Sequence, residues 1–99
     1  MTSSISIRQP SWSVYLIRTR LDTLYCGITT DVNRRFQEHS NGAPRGAKAL
    51  RGKGPLELVF QQEIGDKSLA SKIEARIKKL SRSQKNQIIQ LSPDLKDLV

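Results

Sequence analysis

Five side chains in this sequence have types and spacings suited to hydrolysing a phosphodiester: Tyr15, Tyr25, Arg35, His39 and Glu74. That reaction needs a water that is deprotonated or positioned. It also needs the charge growing on the phosphate oxygens to be neutralised. A divalent ion held by carboxylate and water oxygens commonly meets part of both needs. Glu74 can hold a hard cation, and Arg35 offers a planar fork matched to a phosphate. A tyrosine can serve as base only if its pKa falls from about 10 toward neutrality, as a nearby metal or cation would make it. Each residue also has a plainer reading. Tyr15 and Tyr25 can be ordinary sheet aromatics, and Arg35 a helix arginine that lays its stem on apolar surface. His39 can complement the dipole at a helix C-terminus. Glu74 has Lys78 four positions on, in the favourable order for a helical ion pair.

The elements that must position these groups follow from the apolar pattern. Residues 12 to 19 are β-branched and aromatic, with Trp12, Val14 and Leu16 on one face and Ser13, Tyr15 and Ile17 on the other. Both faces are at least half apolar, as for a central strand covered on both sides. Residues 24 to 29 form the next strand, and the two read as an antiparallel hairpin. A register in which paired positions sum to 40 puts Tyr15 opposite Tyr25. A two-residue loop would make the sum odd and separate the phenols. The break holds no Asn-Gly or Asp-Gly, so the same-face register is favoured.

Thr30 and Asp31 suit a helix start, and Asn41-Gly42 a helix end. The stripe through Val32, Arg35, Phe36 and His39 must then face the sheet, whereas Arg34 can point to water. Residues 41 to 55 read as a Gly- and Pro-rich basic loop with a single helical turn near 47 to 51. A third strand is expected over 56 to 64. A helix follows over 68 to 80, with Leu69, Ile73, Ile77 and Leu80 as its core stripe and Glu74 at the stripe's edge. A last short helix is expected over 84 to 91. Residues 1 to 11 read as a mobile tail, 12 to 91 as one domain, and 92 to 99 as a C-terminal tail.

Ninety-nine residues support one core. Seventeen Lys and Arg against nine Asp and Glu give a formal charge of +8 and a pI near 10.2. Such an excess on a small domain points to polyanions, nucleic acid first. Arg45, Lys48, Arg51 and Lys53 fill the loop without an acid, and residues 67 to 90 carry seven bases against Glu74 alone. The candidate backbone contacts are Arg45, Lys48, Arg51, Lys53, Lys78 and Lys85. Cys26 is the sole cysteine, which excludes a disulfide framework and a Cys-rich zinc site within one chain and fits a reducing cytoplasm. No signal-like start and no run of about 18 apolar residues is present, so no membrane partner is expected.

The triplets Ser13-Val14-Tyr15 and Tyr25-Cys26-Gly27, an arginine ten positions beyond the second tyrosine, His39 four later and a late-helix Glu74 together resemble the GIY-YIG nuclease signature. The resemblance spans roughly residues 12 to 90. The runs GAKALRGKG and EARIKKLSR are similar to the small, single-domain bacterial branch of that family, the UPF-type proteins. It implies an α/β (α+β) fold, a three-stranded antiparallel sheet flanked by helices. It implies an endonuclease with one divalent ion, Mg²⁺ or Mn²⁺, held by Glu74. Tyr15 would activate water with Tyr25 in the same site, Arg35 would stabilise the phosphate, and His39 would assist. Gly27 would be a structural part of the motif, and Asn86 has the spacing of an asparagine used in some lineages. Ser13 and Cys26 depart from the signature's first glycine and middle isoleucine, which bears on local backbone fit more than on chemistry. The substrate implied is DNA, or RNA, cut in repair or processing with low sequence specificity. Relatives often owe target choice to a further domain, so a protein partner would supply it here. The alternative is a nucleic-acid-binding protein that keeps the fold and does not cut.

Overall fold

The computed structural model of the chain describes residues 10–42 and 46–99. Three strands, β1 (Trp12–Arg18), β2 (Leu24–Thr29) and β3 (Glu57–Gly65), form an antiparallel sheet in the order β2-β1-β3. The apolar pattern of β1 on both faces is thus that of a central strand. Helix α1 (Val32–Asn41) follows β2, and helices α2 (Lys67–Lys78) and α3 (Arg82–Leu91) follow β3. The loop between α1 and β3 carries a 3₁₀ turn at Lys48–Leu50, where a single turn was expected.

Two apolar clusters lie on opposite faces of the sheet. On one face Tyr15 and Ile17 pack with Val32 and Leu50, and Tyr25 and Phe36 flank them. On the other, Val14, Leu16, Cys26 and Phe60 pack with Ala70, Ile73 and Ile77 of α2 and Ile88 of α3. The register of β3 shifts between Leu16 and Ile17, where a bulge lets Leu58 serve the first cluster while Phe60 serves the second.

The helix caps are those the sequence offers. The Asp31 carboxylate accepts from Arg34 N at 3.1 Å, and Asp66 accepts from Leu69 N at 3.1 Å. Ser81 and Gln84 form a reciprocal capping box, which starts α3 two residues earlier than the apolar pattern suggests. The C-terminal segment is not a loose tail. Leu95 is fully buried in the α2 core, and a 3₁₀ turn runs over Leu95–Leu98. Gln62 on β3 fixes it by donating to Pro93 O and accepting from Leu95 N, both at 2.8 Å. An amphipathic helix was not needed to dock this segment, so periodicity carried no sign of it. The N-terminal tail expected over 1 to 11 lies almost wholly outside the described residues, as does Arg45.

Candidate active site

The hairpin register decides where the phenols go. Tyr15 pairs with Gly27, and Ile17 with Tyr25. The paired numbers sum to 42 rather than 40. The parity expected for same-face tyrosines holds, but they are diagonal neighbours rather than opposite. The five-residue connection is closed by Thr19, whose N–H donates to Thr23 O at 2.9 Å and whose hydroxyl accepts from Leu21 N and Thr23 N at 3.2 Å. Asp22 takes a left-handed conformation there, φ 61°.

Opposite Gly27, the Tyr15 ring lies across the edge strand. A Cβ on Gly27 would sit 2.4 Å from Tyr15 Oη and 2.6 Å from Cζ. The glycine is therefore the space that the phenol occupies. Tyr15 is 2 % exposed. Its ring centroid is 6.3 Å from that of Tyr25 and 5.9 Å from that of His39, and Tyr25 meets His39 edge-on at 5.4 Å.

His39 is 3 % exposed, not a solvated helix-end cation. Its Nδ1 accepts from Ala47 N at 3.1 Å. The ring nitrogen facing an N–H must be bare, so in the neutral imidazole the proton is on Nε2. Nε2 lies 2.8 Å from Tyr15 Oη and therefore donates to it. Burial and then the Arg35 charge lower the His39 pKa, with Glu38 opposing, which keeps the ring neutral. In this state His39 cannot take the Tyr15 proton. It can stabilise a phenolate, and it leaves the phenol's own proton free to be passed elsewhere.

Arg35 is half-buried on the α1 face that carries His39, and its guanidinium bonds Glu38 at 3.0 Å. Arg34 points to solvent, as the helical stripe requires. Burial, then Tyr25, push the Tyr15 pKa above its ordinary value, while the charge and hydrogen bonding of Arg35 pull it down. The net direction is upward, opposite to that needed for a base at neutral pH.

The folded-state pKa of His39 lies below its unfolded value, so acid favours the unfolded chain. Stability from this group is complete above about pH 6.5 and is lost as pH falls below it. We expect thermal unfolding midpoints to fall between pH 7.5 and pH 5, and His39→Gln to flatten that dependence. An unchanged dependence in the variant would place its origin in other groups.

The other candidates are placed as follows. Glu74 is on α2, 23 % exposed in its side chain and ion-paired with Lys78 at 3.3 Å. It lies on the α2 side of the sheet, opposite the Tyr15 cluster, and its charge acts on Cys26 of β2. Burial and the Glu74 charge push that thiol up to about 12, so Cys26 is an inert core residue. Among the described residues no three His, Cys, Asp or Glu groups gather into a metal cage. What Glu74 offers is a single carboxylate, which suits an ion that keeps most of its waters. Asn86 accepts from Arg82 Nε at 3.3 Å and borders a concavity with Arg18 and Asp22, apart from the phenols. Lys85 is half-buried beside Cys26.

Lys48 and Arg51 are exposed and Lys53 partly so. Their loop is held at both ends, by Ala47 on His39 and by an arginine outside the nuclease signature. Arg20 donates to Gly54 O at 3.0 Å and to Gly52 O at 2.9 Å, and its N–H to Lys53 O at 2.8 Å. Nothing in the spacing marks Arg20; its position just past β1 is the only clue. Between α1 and this loop lies a concavity of about 310 Å³ bordered by His39, Gly42, Leu50 and Arg51. The site thus joins a phenol cluster to a fixed basic loop.

No helix among the described residues is long and apolar enough to cross a membrane. A family model described as the GIY-YIG catalytic domain matches residues 11–87. A UPF0213 protein of Vibrio cholerae is 61 % identical over 79 residues, covering 79 % of this chain and 76 % of the relative. The UPF0213 protein YhbQ of Escherichia coli K12 is 55 % identical over 78 residues, covering 79 % and 76 %. The solution structure of the UPF0213 protein BH0048 of Bacillus halodurans superposes with a TM-score of 0.54 at 38 % identity, covering 82 % of this chain and 84 % of that one. The solution structure of the protein EF2693 of E. faecalis gives 0.60 at 29 % identity, covering 88 % and 91 %. With the motif, the sheet and the relatives in agreement, the chain belongs to the GIY-YIG catalytic-domain family, among its small UPF0213 bacterial members.

Proposed function

We propose that this chain is a divalent-metal-dependent endonuclease that hydrolyses phosphodiester bonds in DNA, or in RNA, with low intrinsic sequence specificity. The carrying observation is the buried Tyr15 phenol, seated on Gly27 and receiving a hydrogen bond from a neutral His39. In the reaction a water oxygen bonds to phosphorus, the bond to the leaving sugar oxygen breaks, the water's proton passes to an ionised Tyr15, and the leaving oxygen takes a proton from solvent. His39 Nε2–H and Arg35 hold the phenolate, and Arg35 also faces the phosphate charge. Tyr25 walls the site and fixes the His39 ring. Glu74 would hold the divalent ion, Mg²⁺ or Mn²⁺, which would supply Lewis-acid stabilisation of the phosphate. Lys48, Arg51 and Lys53 bind the backbone through phosphates, contacts that carry little sequence information. A partner protein would supply target choice, and a role in DNA repair or processing fits cutting directed by structure.

The test is cleavage of supercoiled, single-stranded, branched and RNA substrates with Mg²⁺ or Mn²⁺ and with chelator. Arg35→Ala and Tyr15→Phe should lose cutting by at least about 100-fold while keeping the fold. Because the base is the ionised phenol and its pKa is raised, the wild-type rate should climb with pH across the neutral and mildly alkaline range. A rate that falls over that range would remove Tyr15 from the role of base. Salt-dependent binding with no cutting of any substrate would instead identify a non-catalytic nucleic-acid-binding protein.

A further inference from the structure

Several cations of this molecule are already engaged. Arg18, Arg35, Lys78 and Arg82 each face an acid within 3.0–3.5 Å. Lys72, Arg76 and Lys79, like Lys48, Arg51 and Lys53 of the basic loop, have side chains that take no ion pair or hydrogen bond among the described residues. Lys72, Arg76 and Lys79 are all exposed. Their spacing of four and three residues puts them on one face of α2 and its C-terminal cap. The opposite face of α2, through Ala70, Ile73 and Ile77, is buried on the sheet. The cationic stripe therefore points away from the sheet, and Glu74 with Lys78 lies on the other flank. Ala75 leaves space between the cations, which with Val99 line a shallow concavity of about 350 Å³. The helix dipole accounts for bases in the last turn. It does not account for Lys72 a turn earlier.

Lys72 to Lys79 spans about 10.5 Å of helix axis, the rise of about three nucleotides of one strand at 3.4 Å each. The basic loop bearing Lys48, Arg51 and Lys53 packs through Leu50 on the other face of the sheet, with Tyr15 and Ile17. The two cationic surfaces thus lie on opposite sides of the sheet. One straight duplex cannot run along both.

We propose that the α2 stripe is a second phosphate-backbone surface, so that one molecule holds two nucleic-acid segments at once, and that its preferred substrate is branched or folded back. This rests on the nucleic-acid reading above and names the substrate class for it. The experiment is a bridging assay in chelator, where no cutting occurs. A biotinylated duplex is immobilised, the protein is added, and capture of a second, dye-labelled duplex is measured. The wild type should bridge. The triple variant Lys72→Gln, Arg76→Gln, Lys79→Gln should bind the first duplex yet capture little of the second, and circular dichroism should show its helices intact. At about 0.9 per phosphate contact, the slope of log affinity against log salt for a branched DNA should fall by about 2.7 in this variant. Wild type that binds duplex but shows no bridging, or a variant that bridges with an unchanged slope, overturns the second surface and leaves the nuclease reading standing. Wild type that binds no nucleic acid at low salt overturns both readings, and binding to vesicles of phosphatidylglycerol in its place would assign the stripe to an anionic membrane.

Discussion

The Gly27→Ala protein is expected to stay folded and to lose at least about 100-fold in cleavage rate. The added methyl would stand 2.4 Å from Tyr15 Oη, well inside contact distance, and 2.6 Å from Cζ, so the whole ring end must move. Tyr15 packs in one buried cluster with Ile17, Val32 and Leu50, and its hydroxyl bonds His39. Moving the ring end shifts the hydroxyl from its hydrogen bond with His39. Overpacking of this kind costs about 1–3 kcal/mol, which a domain of this size can bear. At about 4–8 °C for each kcal/mol, the melting temperature should drop measurably without abolishing the fold. The catalytic cost is larger because displacement of a reacting group by about 1 Å is worth about 100-fold. Cys26→Ala is the control one residue away. It removes a buried thiol from the opposite face and should lower stability with little effect on cutting. Nitrogen shifts of the His39 ring should report loss of the Tyr15 bond in Gly27→Ala and not in Cys26→Ala. A Gly27→Ala enzyme that cuts like wild type would mean that the position of Tyr15 does not limit the reaction.

Gly27 also shows what the sequence could and could not convey. Two-residue periodicity placed the three strands, and the doubly apolar β1 read correctly as the central one. The caps Asp31, Asp66 and Ser81 follow from local chemistry, which sequence displays directly. The register did not. A five-residue connection closed by a threonine hydroxyl shifts the pairing by two from the 40 sum, and only then does Gly27 become the seat of Tyr15. The helical stripe correctly put Arg35 and His39 toward the sheet. It could not give the His39 tautomer, because the Ala47 N–H that sets it arrives from a loop with no periodicity. Nor could composition separate bases already paired, such as Lys78 and Arg82, from the unpaired stripe on α2. Leu95 and Arg20 were missed for a related reason: each acts through one long-range contact, and one contact leaves no pattern.

Glu74 is where the functional and the plain readings of one residue meet, and a pair of variants separates them. Its ion pair with Lys78 at 3.3 Å is the helical i, i+4 pair the spacing suggested, with Lys78 56 % and Glu74 23 % exposed in their side chains. A helical pair of this sort, with its lysine in water, contributes about 0.2–1 kcal/mol, far less than a divalent cation gains from a carboxylate in an active site. The lysine therefore competes with metal for Glu74 without blocking it. Lys78→Ala should lower the Mg²⁺ or Mn²⁺ concentration giving half-maximal cleavage, by up to about fivefold for 1 kcal/mol of lost competition. Its stability should change by only about 0.3–0.5 kcal/mol. Glu74→Gln keeps the shape and a hydrogen-bonding oxygen but removes the charge. It should reduce cleavage by at least about 100-fold at any metal concentration, since several kcal/mol of charge stabilisation depend on the metal it holds. Its melting temperature should shift little, because one partly exposed helical ion pair is all the fold loses. The two variants thus move in opposite directions: one eases the metal requirement, and the other abolishes the benefit of metal. If Glu74→Gln cuts like wild type, the metal is held elsewhere. If Lys78→Ala leaves the metal requirement unchanged, the ion pair opens at no cost when metal binds, and the carboxylate is free for metal even with the lysine present.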